Sequence, residues 1–362
     1  MASDKMKVVI LSWGYIEYCI QLANALTKKC DVTLIVPIKY KNYCNNHKEH
    51  TLRILTFTQY RLRNPMNLIS SLDIAEKIKS ICPDIIHVQD SDPWFSLILM
   101  KLISFPIVVT LHDPKQHLGE EKLWETFRDK RMKKYAKRYI VHGKFLKLQL
   151  RDILHTPLSI IDVVPHGNFN LLAKRISFKH HSKFKKILFF GRIWPYKGLE
   201  YLIKSEPLIR KHIKDFKIII AGKGEPFERY KNLMIKKNSF EIHNRFIKNS
   251  EVPKFFADCD IVVLPYIEAT QSGVISMAYT FKKAIVATNV GSIPEIVKNG
   301  VTGILVKPKD IQALSKAIIS LLKNTHLRKK LANNGFKKSQ NDLNWNQIAS
   351  KTFEIYKKCM KN

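Results

Sequence analysis

The fold of this chain is decided by one segment, IVVLPYIEATQSGVISMAYTFKKAIVATNVGSIPEIVKNGVTGILV, which runs from Ile261 to Val306. Its first residues, Ile261–Leu264, are a short apolar run that predicts a buried parallel strand, and Pro265 ends that strand. A polar turn follows, and the apolar residues of Val274–Phe281 predict a helix. The backbone N–H groups at the start of such a helix are free to bind an anion, and phosphate is the usual occupant.

The remainder of the segment repeats the same alternation of strand and helix. A second strand is predicted at Ala284–Ala287, followed by a turn at Gly291 and a short helix at Pro294–Val297. A third strand is predicted at Gly303–Val306. Strands that alternate with helices in this way favour a parallel sheet, with helices as the crossovers between strands.

The rest of the chain carries the same pattern, which predicts a doubly wound α/β fold. Further strands are predicted at Lys7–Leu11, Asp31–Pro37, Arg53–Phe57, Asp84–Val88, Pro106–Thr110, Arg138–His142, Ile160–Val164, Lys186–Phe190, Phe216–Ala221 and Glu241–Ile247. A length of 362 residues favours two domains. We assign residues 1–168 to the first, 169–184 to a charged connection and 185–342 to the second, while the helix in 343–362 crosses back to the first. Ligand-binding residues then belong at the carboxyl ends of the strands.

Composition restricts the compartment and the partners. The formal net charge of +32 is extreme, and nucleic acid or an anionic membrane surface would be attracted by it, although a lysine-rich composition without a partner explains it as well. No apolar run reaches the length of a membrane span, and Met1–Ile10 lacks a signal-peptide pattern. The six cysteines show no C-x-x-C spacing. This pattern favours reduced thiols in a cytoplasmic protein over disulfides or a zinc site.

The opening segment resembles the nucleotide-sugar half of the retaining glycosyltransferases of family 4. The matching residues are Ala284–Thr288, Val290–Ser292, Pro294–Val297 and Asn299–Gly303. The similarity extends over most of the chain through FFGRIWPYKGLEYLI, IIIAGKGE, VVPHGN, PDIIHVQD and VVTLHD. The resemblance implies the GT-B fold, in which two Rossmann-like doubly wound parallel-sheet domains face a cleft. It also implies a nucleotide-sugar donor and no resident cofactor.

The sequence departs from the family pattern in its acidic residues. The family usually carries two glutamates with seven residues between them, whereas only Glu268 is present here. The turn TQSGV recurs in a branch of the same family. Either Gln271 or Ser276 replaces the missing glutamate that grips the ribose, or the ribose is held less tightly. The glycine-rich donor loop of the first domain is reduced to Gly14.

The resemblance assigns a diphosphate-binding pair to Arg192 and Lys197. Arginine suits bidentate contact with phosphate and lysine supplies a point charge, although two surface cations would look the same in so basic a chain. Backbone N–H groups in the TQSGV turn would complete the anion site, and Glu268 would accept hydrogen bonds from sugar hydroxyls or else be an exposed loop acid. The predicted donor-binding residues are Gly14, Arg192, Lys197, Gly222, Phe246, Ile247, Glu268, Gln271, Ser272, Gly273 and Val274.

In the first domain, His112 matches the family's cleft histidine and follows the strand IVVTL. A histidine after a buried strand is often a structural residue, but its position at a carboxyl strand end favours the site. We expect it to orient or stabilise rather than to act as general base. His87 and Asp90 are weaker neighbours. The catalytic residues are therefore predicted to be His112, Arg192, Lys197 and Glu268, with no metal.

A basic stretch in the first domain, Arg128–Arg138, interleaves cations with Met132, Tyr135 and Ala136. This pattern is typical of an interfacial helix and equally of a solvated charged one. An interfacial helix would place the enzyme peripherally at the inner face of the membrane.

Together these observations predict a retaining, metal-independent glycosyltransferase that uses a UDP- or GDP-sugar. It would transfer a hexose or N-acetylhexosamine to a glycan or lipid-linked glycan in surface-polysaccharide biosynthesis. The alternatives are a catalytically degenerate protein that binds nucleotide-sugar and a basic nucleic-acid-binding protein. Specific nucleic-acid binding is not expected, because the sequence carries no aromatic-basic module or zinc spacing.

Overall fold

The computed structural model describes residues 5–89, 93–102, 104–114, 135–173 and 183–361. These residues form two compact units. The first contains the described residues up to Pro165 together with the C-terminal helix from Trp345, and the second runs from His166 to Asn344.

The first unit is built on a parallel sheet of seven strands in the order β3-β2-β1-β4-β5-β6-β7. The strands are β1 Lys7–Ser12, β2 Asp31–Pro37, β3 Arg53–Phe57, β4 Ile85–Gln89, β5 Ile107–Thr110, β6 Arg138–Val141 and β7 Ile161–Val163. Strands β4, β5 and β6 are buried along their whole length, because helices cover parallel strands on both faces and leave no face for water.

Six helices of this unit are described, and the last of them comes from the C-terminus. They are α1 Ile16–Leu26, α2 Lys41–His47, α3 Met66–Ile81, α4 Pro93–Ile98, α5 Lys144–Leu154 and α14 Trp345–Lys361. Helix α14 packs on α1, where the rings of Trp345 and Tyr18 meet edge to face with centroids 5.0 Å apart. The buried Tyr356 hydroxyl lies 2.6 Å from Nδ1 of His87 in β4. These contacts attach the chain terminus to the first sheet.

The second unit is built on a parallel sheet of six strands in the order β10-β9-β8-β11-β12-β13. The strands are β8 Lys185–Phe190, β9 Phe216–Gly222, β10 Phe240–Asn244, β11 Ile261–Leu264, β12 Ala284–Thr288 and β13 Ile304–Val306. The described helices are α6 Asn170–Ala173, α7 Leu199–His212, α8 Glu228–Lys231, α9 Val252–Asp258, α10 Gly273–Thr280, α11 Ile293–Ile296, α12 Ile311–Lys323 and α13 Thr325–Gln340.

Side chains alternate between two apolar layers on opposite faces of the second sheet. Ile187 and Phe189 of β8 pack with α7 and α12, whereas Leu188 packs with Phe256 of α9 and Ile275 of α10. Both faces of the sheet are therefore covered, and the predicted fold class, two Rossmann-like parallel-sheet domains, is confirmed.

The strand order of each sheet reverses at one point. In the first unit, β1 lies between β2 and β4, and in the second unit β8 lies between β9 and β11. The chain leaves neighbouring strands in opposite directions at such a point, so a crevice opens beyond their carboxyl ends. The predicted site residues lie at or beyond the ends of β1 and β5 in one unit and of β8, β9, β10 and β11 in the other.

Two predicted boundaries need correction. Strand β10 ends at Asn244 rather than at Ile247, so Phe246 and Ile247 belong to a loop. The predicted connection begins with a helix, because Leu172 is buried in the apolar layer of the second unit and ties α6 to it. The rest of that connection, residues 174–182, lies outside the described residues, as do Asp90 and residues 128–134 of the predicted basic helix. No described helix is long and apolar enough to cross a membrane.

Candidate active site

The turn after β8 is held by close backbone contact with the turn after β9. The Gly191 amide donates to the Ala221 carbonyl at 2.9 Å, and the Ile193 amide donates to Lys223 at 3.1 Å. A Cβ on Gly222 would lie 1.8 Å from the Gly191 carbonyl oxygen, and Gly222 has a φ of +155°. Only glycine fits here, since both the backbone conformation and the space exclude a side chain. The backbone packing thus requires glycine at position 222, and the contact of Gly222 with the donor stays a prediction.

Lys197 ends a short 3-10 turn, Pro195–Lys197, that leads into helix α7. Its ammonium lies 3.8 Å from the ring centroid of Tyr266 and 4.9 Å from that of Tyr196. An ammonium at this distance is attracted by the ring quadrupole, which holds the charge in place. The following Gly198 has a φ of +64°, and a Cβ there would lie 2.0 Å from the Pro265 carbonyl oxygen. The turn that carries Lys197 therefore packs directly on the end of β11.

Tyr266 connects this cation to the start of helix α10. Its hydroxyl lies 3.2 Å from Oγ of Ser272, the residue that precedes the helix. Gly191, in the turn after β8, lies close to Val274 in the first turn of the helix, because a Cβ on Gly191 would be 3.8 Å from the valine Cγ2. The first backbone N–H groups of α10 have no acceptor within the helix. Tyr266 therefore connects the Lys197 ammonium to the N-terminus of α10 at one edge of the second sheet.

The residues proposed to replace the missing glutamate differ in their surroundings. Ser276 is fully buried, and its hydroxyl donates to the His166 carbonyl oxygen at 3.5 Å. Oε1 of Gln271 is also buried, but no group in the described chain donates a hydrogen bond to it. Because a buried acceptor without a donor is costly, Gln271 is the better candidate to receive a ligand hydroxyl. Glu268 is partly buried in the same turn, and its amide donates to the Tyr196 carbonyl at 3.4 Å.

The other predicted donor-binding residues of this unit differ in their surroundings. The guanidinium carbon of Arg192 lies 6.0 Å from the ring centroid of Tyr196, which Lys197 also approaches. Arg192 is exposed directly after Gly191. Phe246 is 72% exposed, beyond the end of β10. Ile247 is buried in the apolar layer that includes α9 and α10, so its side chain packs in the core.

In the first unit, His112 lies two residues beyond the end of β5 and is fully buried. Its Nε2 is 3.1 Å from Oε1 of Gln89, and its Nδ1 is 3.0 Å from Nε2 of His142. Nδ1 of His142 donates in turn to the Val164 carbonyl at 2.8 Å. Both ring nitrogens of His112 are thus engaged by neighbouring strand ends. His142 ends the apolar run after Arg138, and no motif in the sequence marks it as a site residue.

Gly14 lies in the turn between β1 and α1. A Cβ on Gly14 would meet no atom of the described residues within 4 Å, so the space beside it is open, and its contact with the donor stays a prediction. The next residue, Tyr15, stacks on the His112 ring. No motif in the sequence marks Tyr15 as a site residue.

His87 is a structural residue. Its Nε2 lies 2.7 Å from Oγ1 of Thr110, and its Nδ1 lies beside the Tyr356 hydroxyl. Complete burial lowers the pKa of His87 to about 3, so the imidazole is neutral at ordinary pH. It is therefore part of the hydrogen-bonded core beneath Gln89.

His166, in the turn VVPHGN, is a further histidine for which the sequence predicts no role. The imidazole is buried, its Nδ1 donates to the Gly167 carbonyl at 2.8 Å, and burial lowers its pKa. The ring stacks on Phe169, and both rings lie beside the position that a Cβ of Gly273 would take. The rings of His166 and Phe169 therefore border the space at the N-terminus of α10. Within the described ranges, no group of three or more His, Cys, Asp or Glu side chains is arranged to hold a metal ion.

Comparison with known families decides what this chain is. Residues 173–338 match the family "Glycosyl transferases group 1", and residues 16–167 match "Glycosyltransferase Family 4". The chain belongs to the group 1 glycosyltransferases of family 4. The first match contains the turns after β8 and β11 and helix α10. The second contains His112 and begins one residue after Tyr15.

Individual relatives of this glycosyltransferase are distant. An uncharacterized glycosyltransferase of Methanocaldococcus jannaschii is 28% identical over 235 residues, which cover 61% of this chain and 60% of the relative. Another from the same organism is 24% identical over 342 residues, which cover 89% and 93%. The Anabaena protein HepE, solved in complex with UDP and glucose, superposes with a TM-score of 0.74 at 17% identity, over 98% of this chain and 100% of that one. At that identity the likeness shows a shared fold only.

The substitution Gly273→Ala, which adds one methyl group, tests whether a phosphate binds at the N-terminus of α10. Gly273 has neither a left-handed backbone nor a close backbone neighbour, because a Cβ there would meet Phe169 at an ordinary 3.6 Å. We expect Gly273→Ala to fold normally and to reduce sugar transfer at least tenfold, about 1.4 kcal/mol, because the methyl group holds a phosphate away from the N–H groups. Thermal unfolding and initial transfer rates measure the two effects.

The matched contrast is Gly291→Ala. Gly291 has a φ of +53°, and a Cβ there would lie 1.6 Å from the Ala269 carbonyl oxygen. This variant should lose stability together with activity. Full activity in Gly273→Ala would show that no ligand approaches the start of α10.

Proposed function

We propose that this glycosyltransferase is retaining and metal-independent and uses a UDP- or GDP-sugar as donor. The transferred group would be a hexose or N-acetylhexosamine, and the acceptor a glycan or lipid-linked glycan in surface-polysaccharide assembly. The observation that carries the proposal is the contact chain from Lys197 through Tyr266 to Ser272 at the start of α10.

This contact chain suits a departing nucleoside diphosphate. When the bond between the sugar and the phosphate breaks, negative charge grows on the terminal phosphate. The Lys197 ammonium and the N-terminus of α10 are two sources of positive potential, and the structure links them through one buried tyrosine. Because Tyr266 is almost fully buried, the ammonium rests on a fixed support. The positive groups are then in place before the charge develops.

The polar groups beside this contact chain suit the sugar and ribose hydroxyls. Glu268 offers carboxylate oxygens as acceptors, and the buried Oε1 of Gln271 offers an acceptor that no described group uses. HepE, which shares this fold, has also been solved in complex with UDP-glucose, and this supports the choice of a nucleotide-sugar as the proposed occupant. A screen of donor hydrolysis across UDP-, GDP- and ADP-sugars, without acceptor, identifies the nucleotide.

The surroundings of His112 support a retaining reaction in which the leaving phosphate takes the acceptor proton. Gln89 and His142 occupy the two ring nitrogens of His112, and the ring is buried. A histidine held in this way orients its neighbours rather than acting as a general base. In the proposed front-face step, the acceptor oxygen forms a bond to the anomeric carbon as the bond to the phosphate oxygen breaks. The acceptor proton passes to that phosphate.

Helix α5 supports the proposed contact with an anionic membrane. It buries Leu146, Leu150 and Leu154 on one face, while Phe145 is 43% and Leu148 48% exposed on another. Lys144 precedes Leu148 by four residues, so it lies on the same side of the helix. Apolar side chains beside a cation on a strongly basic protein match the interfacial zone of a bilayer.

Lys197→Ala tests the diphosphate site. The lost charged contact is worth about 1.5–3 kcal/mol, so transfer should fall roughly 10- to 150-fold while the melting temperature stays close to that of wild type. Lys204→Ala is the matched control, because Lys204 also lies over a tyrosine of this unit, 5.9 Å from the ring of Tyr201. Wild-type transfer by Lys197→Ala, or an equal loss in both variants, would rule out this role for Lys197.

Removal of metal tests the second part of the proposal. Since Lys197 and the α10 N-terminus supply the positive charge, we expect transfer in excess EDTA to stay within about twofold of the untreated rate. Product formation should be measured before and after chelation. Loss of transfer in EDTA with recovery on addition of Mn²⁺ or Mg²⁺ would contradict metal independence.

Vesicle sedimentation tests the membrane contact. Wild type should bind vesicles that contain phosphatidylglycerol at low salt, release them at high salt, and ignore neutral vesicles. Replacing both Phe145 and Leu148 by Ser should weaken binding several-fold, at about 25 cal/mol for each Å² of apolar surface removed from water. Ile235→Ser is the matched control, because Ile235 is 74% exposed in the other unit. Preference for a DNA duplex over anionic vesicles would favour the nucleic-acid alternative instead.

A further inference from the structure

The turn that follows β1 places two aromatic side chains in different environments. Trp13 packs into the core, with its ring centroid 4.9 Å from that of Phe95 and 5.7 Å from that of Phe57. Tyr15 is 45% exposed. The turn is therefore anchored by one ring and presents the other at the carboxyl end of β1, where the strand order of the sheet reverses.

The backbone of Tyr15 adopts a conformation that is unfavourable for a residue other than glycine. Its φ of 51° and ψ of 36° lie in the left-handed region, which is unfavourable for a residue with a Cβ. The turn is held by hydrogen bonds between Ser12 and Gly14, and the Tyr15 carbonyl accepts the Cys19 amide at 3.0 Å. Strain that the surrounding structure maintains is typical of functional positions. Glycine would suit the backbone better but would present no ring.

The Tyr15 ring rests on a rigid support. It lies parallel to the His112 imidazole, with ring centroids 3.9 Å apart and an angle of 10° between the planes. His112 is fully buried and bonded to Gln89 and His142, and Tyr18 meets it edge to face at 5.0 Å. One face of the tyrosine ring is thus covered by a fixed imidazole. The exposed part of the side chain presents a flat apolar surface with a hydroxyl at its tip.

A flat, rigid and partly exposed aromatic ring is suited to a pyranose. Sugar rings carry C–H groups on one face, and these pack on aromatic rings while the hydroxyls at the edge bind polar groups or water. We propose that Tyr15, supported by His112, is a stacking platform for a pyranose ring of a substrate. This inference rests on the proposed function and extends it to a residue of the first unit. The pyranose belongs either to the acceptor or to the donor. Either one would present the same C–H face to the Tyr15 ring.

Saturation-transfer NMR tests the platform without turnover. The probes are methyl α-D-glucopyranoside, methyl α-D-mannopyranoside and methyl α-D-galactopyranoside for the acceptor, and UDP-glucose for the donor. At least one probe should receive saturation at its C–H protons from the wild type and from Tyr15→Phe. Tyr15→Gly should reduce that signal at least fivefold, because it removes the ring. Loss for a methyl glycoside identifies an acceptor platform, and loss for the glucose protons of UDP-glucose identifies a donor platform.

The controls separate stacking from folding. Tyr15→Gly is expected to fold, because glycine adopts the left-handed backbone readily, and Tyr15→Asn is a second variant that tolerates it. Tyr60→Gly makes the same side-chain deletion at another exposed tyrosine of the first unit and should retain the signal. Equal signals in wild type and Tyr15→Gly, or no signal from wild type with any probe, would overturn the platform. Donor hydrolysis by the wild type tests the proposed function separately.

Discussion

Close backbone contact at the carboxyl edge of the second sheet is the constraint on which the candidate donor site depends. The turn after β8 touches the turn after β9 through Gly191 and Gly222, and it touches the end of β11 through Gly198 and Pro265. None of these contacts leaves room for a Cβ between the backbones. Because β8 lies at the centre of the sheet, its turn can reach both neighbours, and it brings Lys197 onto Tyr266. The electrostatic arrangement therefore follows from backbone packing.

The two units use their strand ends in different ways. In the second unit, the groups at the edge are charged or polar, and they surround the start of a helix. In the first unit, the equivalent edge is a hydrogen-bonded and aromatic network in which Gln89, His112 and His142 come from three strand ends. The first arrangement suits an anion, and the second provides a rigid surface with an aromatic ring on top. This difference matches the proposed transfer, in which an anionic group leaves and a neutral glycan accepts the sugar.

Much of the local structure could be predicted because the pattern of apolar residues is a local property. The strands Asp31–Pro37, Arg53–Phe57 and Ile261–Leu264 were predicted with the bounds that the structure shows. Most other predicted strand ends differ from the observed ends by one residue, and the largest departure is the strand predicted to reach Ile247. Ile247 is apolar because it packs in the core from a loop, and apolar composition alone does not distinguish a loop residue that packs inward from the end of a strand. The helix that contains Leu172 was predicted as part of a charged connection. A single buried residue in a charged stretch produces no apolar periodicity that would indicate a helix.

The sequence by itself determined the fold class, the order of strands and helices, the family, and the turns in which site residues occur. The placement of Lys197 over Tyr266, the burial that distinguishes Ser276 from Gln271, and the stacking of Tyr15 on His112 were decided only by the tertiary structure. Lys197 and Tyr266, like Tyr15 and His112, are far apart in the chain. The order of the strands within each sheet determines that they meet. Local residue patterns specify whether a segment is a strand or a helix, but not which strand lies beside it. The partners of a side chain at a strand end therefore appear only once the sheet has formed.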